Sequence, residues 1–134
     1  TRIKREYAKD LPKIKVKPDQ IQEVFLNLIN NARHSLNSKC ENSEGNKTLK
    51  ISVRSADHDR KKYLEIKFHD TGVGIPQQNL KKIFDPFFTT KKKEQRTGLG
   101  LGISSGIIKD HGGGLRVESK EGEYATFIIE LPGN

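Results

Sequence analysis

The apolar residues change period partway along the chain, and this change constrains the fold more than any other feature. Ile21, Val24, Phe25, Leu28, Ile29 and Ala32 fall at i, i+3, i+4, i+7, i+8 and i+11, the apolar face of a helix. Pro18-Asp19 opens that helix, and the pattern carries it to about Ser38. A polar loop at 41–47 follows, and then the period drops to two. Leu49, Ile51 and Val53 share one strand face, and Leu64, Ile66 and Phe68 share another. These runs predict strands at about 48–56 and 62–69, joined by the charged turn Asp57–Lys61.

The flanking segments extend the same alternation of elements. Residues 1–17 read as two short edge strands around a turn near Lys9-Asp10-Leu11-Pro12. Pro76 suits the first turn of a short helix at about 76–83. Residues 85–97 show no periodicity and read as a loop. Leu99, Ile103 and Ile107, with Leu101 and Ile108 on a neighbouring row, predict a helix over 99–110, ended by Gly112-Gly113-Gly114. Strands at 115–119 and 124–131 form a hairpin across Lys120-Glu121-Gly122-Glu123. The predicted architecture is an α/β (α+β) two-layer sandwich, a mixed sheet of about five main strands packed on three helices. A length of 134 residues fits a single domain spanning 1–134.

Composition narrows the class. Hydrophobic residues are 32% and charged residues 31%, a polar balance, but the apolar positions are periodic and so argue against disorder. A formal net charge of +8 suits an anionic partner: nucleotide, nucleic acid, acidic protein or anionic membrane. The single cysteine, Cys40, excludes an intramolecular disulfide framework and makes a reducing cytoplasm the default. No apolar run approaches the roughly 18 residues that span a bilayer, and the N-terminus is not a signal peptide. The chain starts without Met inside a charged stretch and reads as part of a longer protein, whose anchoring stays open.

Four constellations carry chemistry. Glu23, Asn27 and Asn31 are spaced i, i+4, i+8 and form one polar stripe beside the apolar helix face, with Asn30 offset from it. A solvated helix face is one reading. The other is functional: Asn is a poor helix former, and its amide oxygen is a hard ligand suited to Mg²⁺ that also carries nucleotide phosphates. Asp70-Thr71-Gly72-Val73-Gly74 follows a strand directly. Its glycines permit a sharp turn and close approach to a flat ligand, and Asp70 can accept a hydrogen bond from an exocyclic amine such as adenine N6. It is equally a tight strand-to-helix turn, and it lacks the further residues of a dinucleotide fold or P-loop. Thr97-Gly98-Leu99-Gly100-Leu101-Gly102 opens a helix whose free amides and dipole favour phosphate, or is simply a flexible entry. The preceding Lys91, Lys92, Lys93 and Arg96 either close over phosphates or form a solvated charge run. Phe84-Asp85-Pro86-Phe87-Phe88 is either core or the anchor of a lid.

In this order the pieces resemble the ATP-binding catalytic domain of sensor histidine kinases, in the superfamily of gyrase B, the heat-shock chaperone ATPase and MutL. The resemblance covers about residues 14 to 132. NLINNA (27–32) looks like the N box, DTGVGI (70–75) the first glycine box, FDPFFTTK (84–91) the F box and TGLGLGIS (97–104) the second glycine box. HGGGLRVES and ATFIIELP look like the closing hairpin. FDPFFTTK with GIIKDHGG looks closest to the nitrogen-regulation class.

The resemblance implies the Bergerat ATP-binding fold, ATP and Mg²⁺ as cofactors, and a set of roles. Asn31 would coordinate the Mg²⁺ that bridges the phosphates. Asn27 would contact phosphate or metal, standing where ATP-hydrolysing relatives carry a catalytic Glu. Asp70 would bind adenine N6, and Gly74 and Thr126 would complete the adenine site beside Gly72 and Ile75. Lys91 would approach the phosphates from a lid. Gly98 and Gly100, with Thr97, Leu99 and Leu101, would hold the β- and γ-phosphates. Phe84, Phe87 and Phe88 would support the lid and its docking. Three positions depart from the family pattern: His34 stands where many members carry Lys or Arg, Arg96 where the second box commonly begins with Gly, and Gly102 where a small hydroxyl or Ala is usual.

No histidine sits in a phosphoacceptor pattern. His34 lies in the N box, His58 in a turn, His69 before a glycine box and His111 before a glycine run. The chain is therefore expected to bind Mg-ATP and donate the γ-phosphoryl group to a histidine on a separate dimerisation domain, without autophosphorylating alone. The implied partners are that domain and a downstream response regulator, with no nucleic acid and no direct membrane contact. The piece would be a cytoplasmic monomer and its parent a homodimer. An anti-sigma-factor serine kinase or a hydrolysing ATPase is the alternative, opposed by the F box and by Asn27 respectively. A basic nucleic-acid module is the distant one, and Tyr7, Tyr63 and Tyr124 do not cluster with basic runs as stacking would require.

Overall fold

The computed structural model describes residues 2–37, 47–80, 82–84 and 97–133. Five strands form one mixed sheet: β1 (Arg2–Tyr7), β2 (Thr48–His58), β3 (Lys61–Asp70), β4 (Gly114–Lys120) and β5 (Tyr124–Pro132). Their spatial order is β1-β2-β3-β5-β4. β1 runs parallel to β2, and every other neighbouring pair is antiparallel. The α-helices α1 (Pro18–Asn37) and α2 (Thr97–Asp110) pack against each other, with β3 beneath α1 and β4 and β5 beneath α2.

Strand alternation divides the sheet into two unlike faces. Leu64, Ile66 and Phe68 of β3 point to the helices, as do Ala125, Phe127, Ile129 and Leu131 of β5, and these meet Ile21, Val24 and Leu28 of α1 in the main core. Each such side chain contributes about 1.5–3 kcal/mol of burial. Phe25 adds a tilted ring contact to Phe68 at 5.7 Å. Ala32 and Leu36 continue the α1 stripe onto Leu49 of β2.

The outer face is polar. Its central Glu65 is only 2% exposed and is bonded by Arg54 (Nε to Oε1, 2.6 Å), with Lys67 at 3.6 Å and Arg116 at 4.0 Å. Burial pushes the Glu65 carboxyl up, but the Arg54 hydrogen bond and the three cations outweigh it and hold the group below its usual range.

Local chemistry explains the boundaries. Asp59 and Arg60 both take positive φ, 49° and 68°, the conformation of a two-residue hairpin turn that matches strand twist. The turn therefore shrinks to this pair, and β2 and β3 run further than the charge pattern suggested. At the end of α2, Gly113 N–H bonds Ile108 O at 3.0 Å and Gly112 N–H bonds Lys109 O at 2.9 Å, a Schellman cap. His111 secures the same corner: its Nδ1–H donates to Ile107 O at 2.8 Å, and its Nε2 accepts Lys17 N–H at 3.1 Å.

Three expectations are corrected. The N-terminal segment contributes one strand, not two. After β1 the chain makes only an isolated bridge, Ile14 to Gly133, because Lys13, Lys15 and Lys17 point to solvent while Ile14 and Val16 pack on the core. The three-helix count becomes two α-helices among the described residues. The segment at 76–83 forms only a 3-10 turn, Gln77–Asn79, whose first residue gains no side-chain cap. On α2 the buried row is Leu101, Ser104, Ser105 and Ile108, while Ile103 is 55% exposed. Of the expected residues, Leu101 and Ile108 are buried and Ile107 packs against the core, whereas Ile103 faces outward because two serines, which apolarity does not reveal, occupy the inward positions. No helix among the described residues is long and apolar enough to cross a membrane.

Candidate functional site

The polar stripe of α1 is shorter and displaced relative to its expected extent. Glu23 and Asn30 are exposed, whereas Asn27, Asn31, His34 and Ser35 are half-buried. Asn27, Asn31 and Ser35 follow one another at i, i+4, i+8, a row about 12 Å long at 1.5 Å per residue. Each end of the row is bonded to a different element. Asn27 Nδ2 donates to Ser104 Oγ of α2 at 3.1 Å. Ser35 Oγ accepts the N–H of Val73 at 3.1 Å, and Ser35 O receives the same N–H at 3.4 Å. Asn31 lies between them. Its Nδ2 is buried with no hydrogen-bond partner among the described residues, an arrangement that costs about 1–3 kcal/mol when no ligand satisfies the amide.

The loop after β3 is fixed on both sides. Asp70 is 1% exposed, and its Oδ1 accepts Gly72 N–H at 3.0 Å, a local turn that orients the carboxylate. Thr71 Oγ1 accepts Thr48 N–H at 2.9 Å. Ile75 N–H donates to Ser119 Oγ at 2.7 Å, Ser119 donates on to Tyr124 O at 2.8 Å, and Gly122 N–H reaches Val73 O at 2.6 Å. The glycines serve this packing. A Cβ on Gly72 would stand 2.2 Å from Ser35 Oγ and 2.6 Å from the Ser35 carbonyl carbon. Gly74 has φ +69°, and a Cβ there would stand 2.5 Å from Lys120 O.

The structure thus brings Asn27, Asn31, Asp70, Gly72, Gly74 and Ile75 around the helix face of the sheet, with His34 in the same half-buried part of α1. The backbone of Thr97, Gly98, Leu99 and Gly100 forms the first turn of α2, the part of a helix whose N–H groups lack intrahelical partners and suit anions. Leu101 is 4% exposed and packs in the core, so only its backbone faces outward. Thr126 is not brought to this group. It is paired across the strands with His69, and its Oγ1 lies 2.7 Å from His69 Nδ1 on the outer face; Ala125 is the residue opposite Asp70. Sequence reasoning missed this because adjacent strand residues point to opposite faces. Lys91, Arg96, Phe87 and Phe88 lie outside the described residues; Phe84 is half-buried against the core.

Three serines went unnoticed in the sequence: Ser35, Ser104 and Ser119. Extending the Asn27–Asn31 stripe by one more i+4 step would have found Ser35; nothing local marks the other two. His69, beside Tyr124 at 5.4 Å, has its pKa lowered by burial and, second, by Lys50.

The residues fit a nucleotide with its metal. Among the described residues no three His, Cys, Asp or Glu side chains cluster as a metal site, so a cation would rely on amide oxygens and on the ligand's own phosphates. A 180° turn of the Asn31 amide presents Oδ1 where the unpartnered Nδ2 lies.

Known proteins are similar to this chain in sequence and fold. Residues 16–134 match the family model described as histidine kinase-, DNA gyrase B- and HSP90-like ATPase. Sporulation kinase E of Bacillus subtilis (strain 168) is 36% identical over 92% of this chain, which spans 15% of that protein. The sensory histidine kinase/phosphatase NtrB of Rhizobium leguminosarum bv. phaseoli is 33% identical over 99% of this chain, which spans 35% of it. The catalytic domain of histidine kinase ThkA, in a nucleotide-free form, superposes with a TM-score of 0.75 at 32% identity, covering 98% of this chain and 80% of that one. With the family model matched over residues 16–134 and relatives above 30% identity over most of its length, the chain belongs to the histidine kinase-, DNA gyrase B- and HSP90-like ATPase family.

Proposed function

We propose that this domain binds Mg-ATP along the Asn27–Asn31–Ser35 row and donates the γ-phosphoryl group to a histidine of a separate dimerisation domain in a two-component sensor kinase. The observation that carries the reading is Asn31: a buried amide nitrogen with no partner among the described residues, midway along a row anchored to α2 at one end and to the Asp70 loop at the other. That geometry suits an elongated ligand with a base at one end and phosphates at the other.

Each residue has a task. Asp70, oriented by Gly72 N–H, accepts a hydrogen bond from the adenine amine, and Gly74 lets the loop beside it pack against the β4–β5 turn. Asn31, with Asn27 beside it, holds the metal–phosphate end, and the first-turn amides of α2 receive phosphate oxygens. Held by Asn31 and Asn27, Mg²⁺ would supply neutralisation of the phosphate charge. The protein's share is positioning and exclusion of water, and Lys91 supplies a further cation. The nucleophilic histidine comes from outside, since none of His34, His58, His69 and His111 lies in a phosphoacceptor pattern; His111 and His69 are further engaged in structural bonds, and His58 bonds Glu130 at 2.5 Å. The domain works in the cytoplasm, as one piece of a homodimeric parent that signals to a response regulator.

Thermal melts with Mg-ATP or a non-hydrolysable analogue test binding, because a ligand of the folded state raises Tm by mass action. An unchanged Tm at millimolar nucleotide would refute it, as would wild-type affinity in Asp70→Asn. Incubation with a dimeric histidine-bearing domain and γ-labelled ATP tests transfer. Label on histidine supports the kinase; label on serine, or free phosphate alone, overturns it.

A further inference from the structure

Ser104 is an oddity of the buried row of α2. It is fully buried at 0% exposure, between Leu101 and Ile108 in a helix–helix contact where an apolar residue would pack without leaving a hydroxyl to satisfy. Its partner is Asn27 Nδ2, 3.1 Å away. Among the described residues Asn27 makes no other side-chain hydrogen bond.

We propose that Ser104 is a positioning residue, whose hydroxyl holds the Asn27 amide with Nδ2 toward α2 and Oδ1 toward the metal–phosphate end of the site. A primary amide has two unlike ends. With one Nδ2 hydrogen held by Ser104, Oδ1 is left as an acceptor for a cation or its bound water, and the second Nδ2 hydrogen as a donor for a phosphate oxygen. Asn27 is thereby held where metal and phosphate meet, and one serine on α2 sets its position. A side chain without this anchor samples other rotamers, which withdraw its carbonyl from the cation. The bond also joins α1 to the helix whose first turn meets the phosphates, so the two phosphate-side elements share a single register.

The inference rests on the Mg-ATP reading, and a double-mutant cycle separates the two. Affinity for Mg-ATP and for AMP is measured on the wild type, Ser104→Ala, Asn27→Ala and the double variant, with Tm recorded for each. Ser104→Ala is expected to weaken Mg-ATP binding about fivefold, the equivalent of one hydrogen bond, and to raise the Mg²⁺ concentration at half-saturation. AMP, which engages the adenine end, keeps its affinity. In the Asn27→Ala background, Ser104→Ala has no further effect. Full additivity of the two substitutions overturns the positioning role, as does a parallel loss of AMP affinity, which a merely structural serine would produce. Unchanged Mg-ATP affinity in Asn27→Ala overturns the positioning role together with the Mg-ATP reading at this residue.

Discussion

The two ends of the α1 row are built on different principles. At the Asp70 end the polar groups are satisfied by the protein itself: Gly72 N–H by Asp70, Val73 N–H by Ser35, Ile75 N–H by Ser119. Two glycines stand there in spaces that admit no side chain. At the Asn end, among the described residues, one side-chain bond joins α1 to α2, and Asn31 keeps a buried nitrogen without a partner. One end is rigid before a ligand arrives, which suits a flat base read by shape and by one carboxylate. The other has bonding capacity in reserve, which suits a charged group that brings its own cation. Stability and binding should therefore separate along the row: substitutions at the Asp70 end damage folding, and those at the Asn end damage affinity.

The largest effect is expected from Gly74→Ala. A left-handed φ combined with a Cβ 2.5 Å from Lys120 O should cost about 3 kcal/mol of unfolding free energy in urea melts, and nucleotide binding should fall with it. A variant as stable as the wild type would break the comparison at its rigid end. Asn31→Ala is the opposite case. Removing a buried amide that lacks a partner should leave stability within about 1 kcal/mol of the wild type or raise it, while Mg-ATP affinity drops on the order of tenfold or more. Melts and calorimetric titration of the same sample decide it; a variant destabilised like Gly74→Ala, with affinity intact, would reverse the assignment. Ser35→Ala is smaller again, about 0.5–1 kcal/mol. Val73 N–H retains Ser35 O at 3.4 Å as a weaker acceptor, and a loss beyond about 2 kcal/mol would show that this bond carries more of the loop than its geometry indicates.

What the sequence made legible follows from how far each signal travels. The α1 stripe and the paired strands β2 and β3 were readable because burial repeats along the element itself: Ile21, Val24, Leu28 and Ala32 are all buried. The 3-10 turn after Pro76 was misread because a favourable first residue does not supply the packing that extends a helix. α2 was found with Leu101 and Ile108 of its inward row, but not the serines between them, since Ser104 is buried against Asn27 of another helix and no local pattern announces that partner. Asp70, Gly72 and Gly74 could be picked out as a motif, yet the reason for the glycines lay in Ser35 and in the β4–β5 turn, about 40 residues away in either direction. Thr126 was placed one strand position from where alternation allows; Ala125 is the residue paired with Asp70.

The smallest expected effect tests whether the outer face reports on the rigid end. His69 immediately precedes Asp70 and points to the opposite face, where its Nδ1 meets Thr126 Oγ1 at 2.7 Å and its ring lies beside Tyr124. Burial, and then the charge of Lys50, lower its pKa below the ordinary value of 6.5. The unfolded chain therefore takes up a proton at about pH 6.5 while the folded chain still excludes it, so the stability due to neutral His69 is present above that pH and declines as pH falls toward the depressed folded value. The slope stays under about 1.4 kcal/mol per pH unit, the limit for one proton, and the partial exposure of His69 keeps it below that limit. His69→Asn should flatten urea-melt stability between pH 7 and 5.5 relative to the wild type. If AMP affinity in the wild type declines over the same interval and the variant abolishes the decline, the two sheet faces are coupled through the β3 backbone at Asp70. If stability changes with pH but AMP affinity does not, the rigid end is insulated from the face behind it, and the contrast between the two ends becomes sharper.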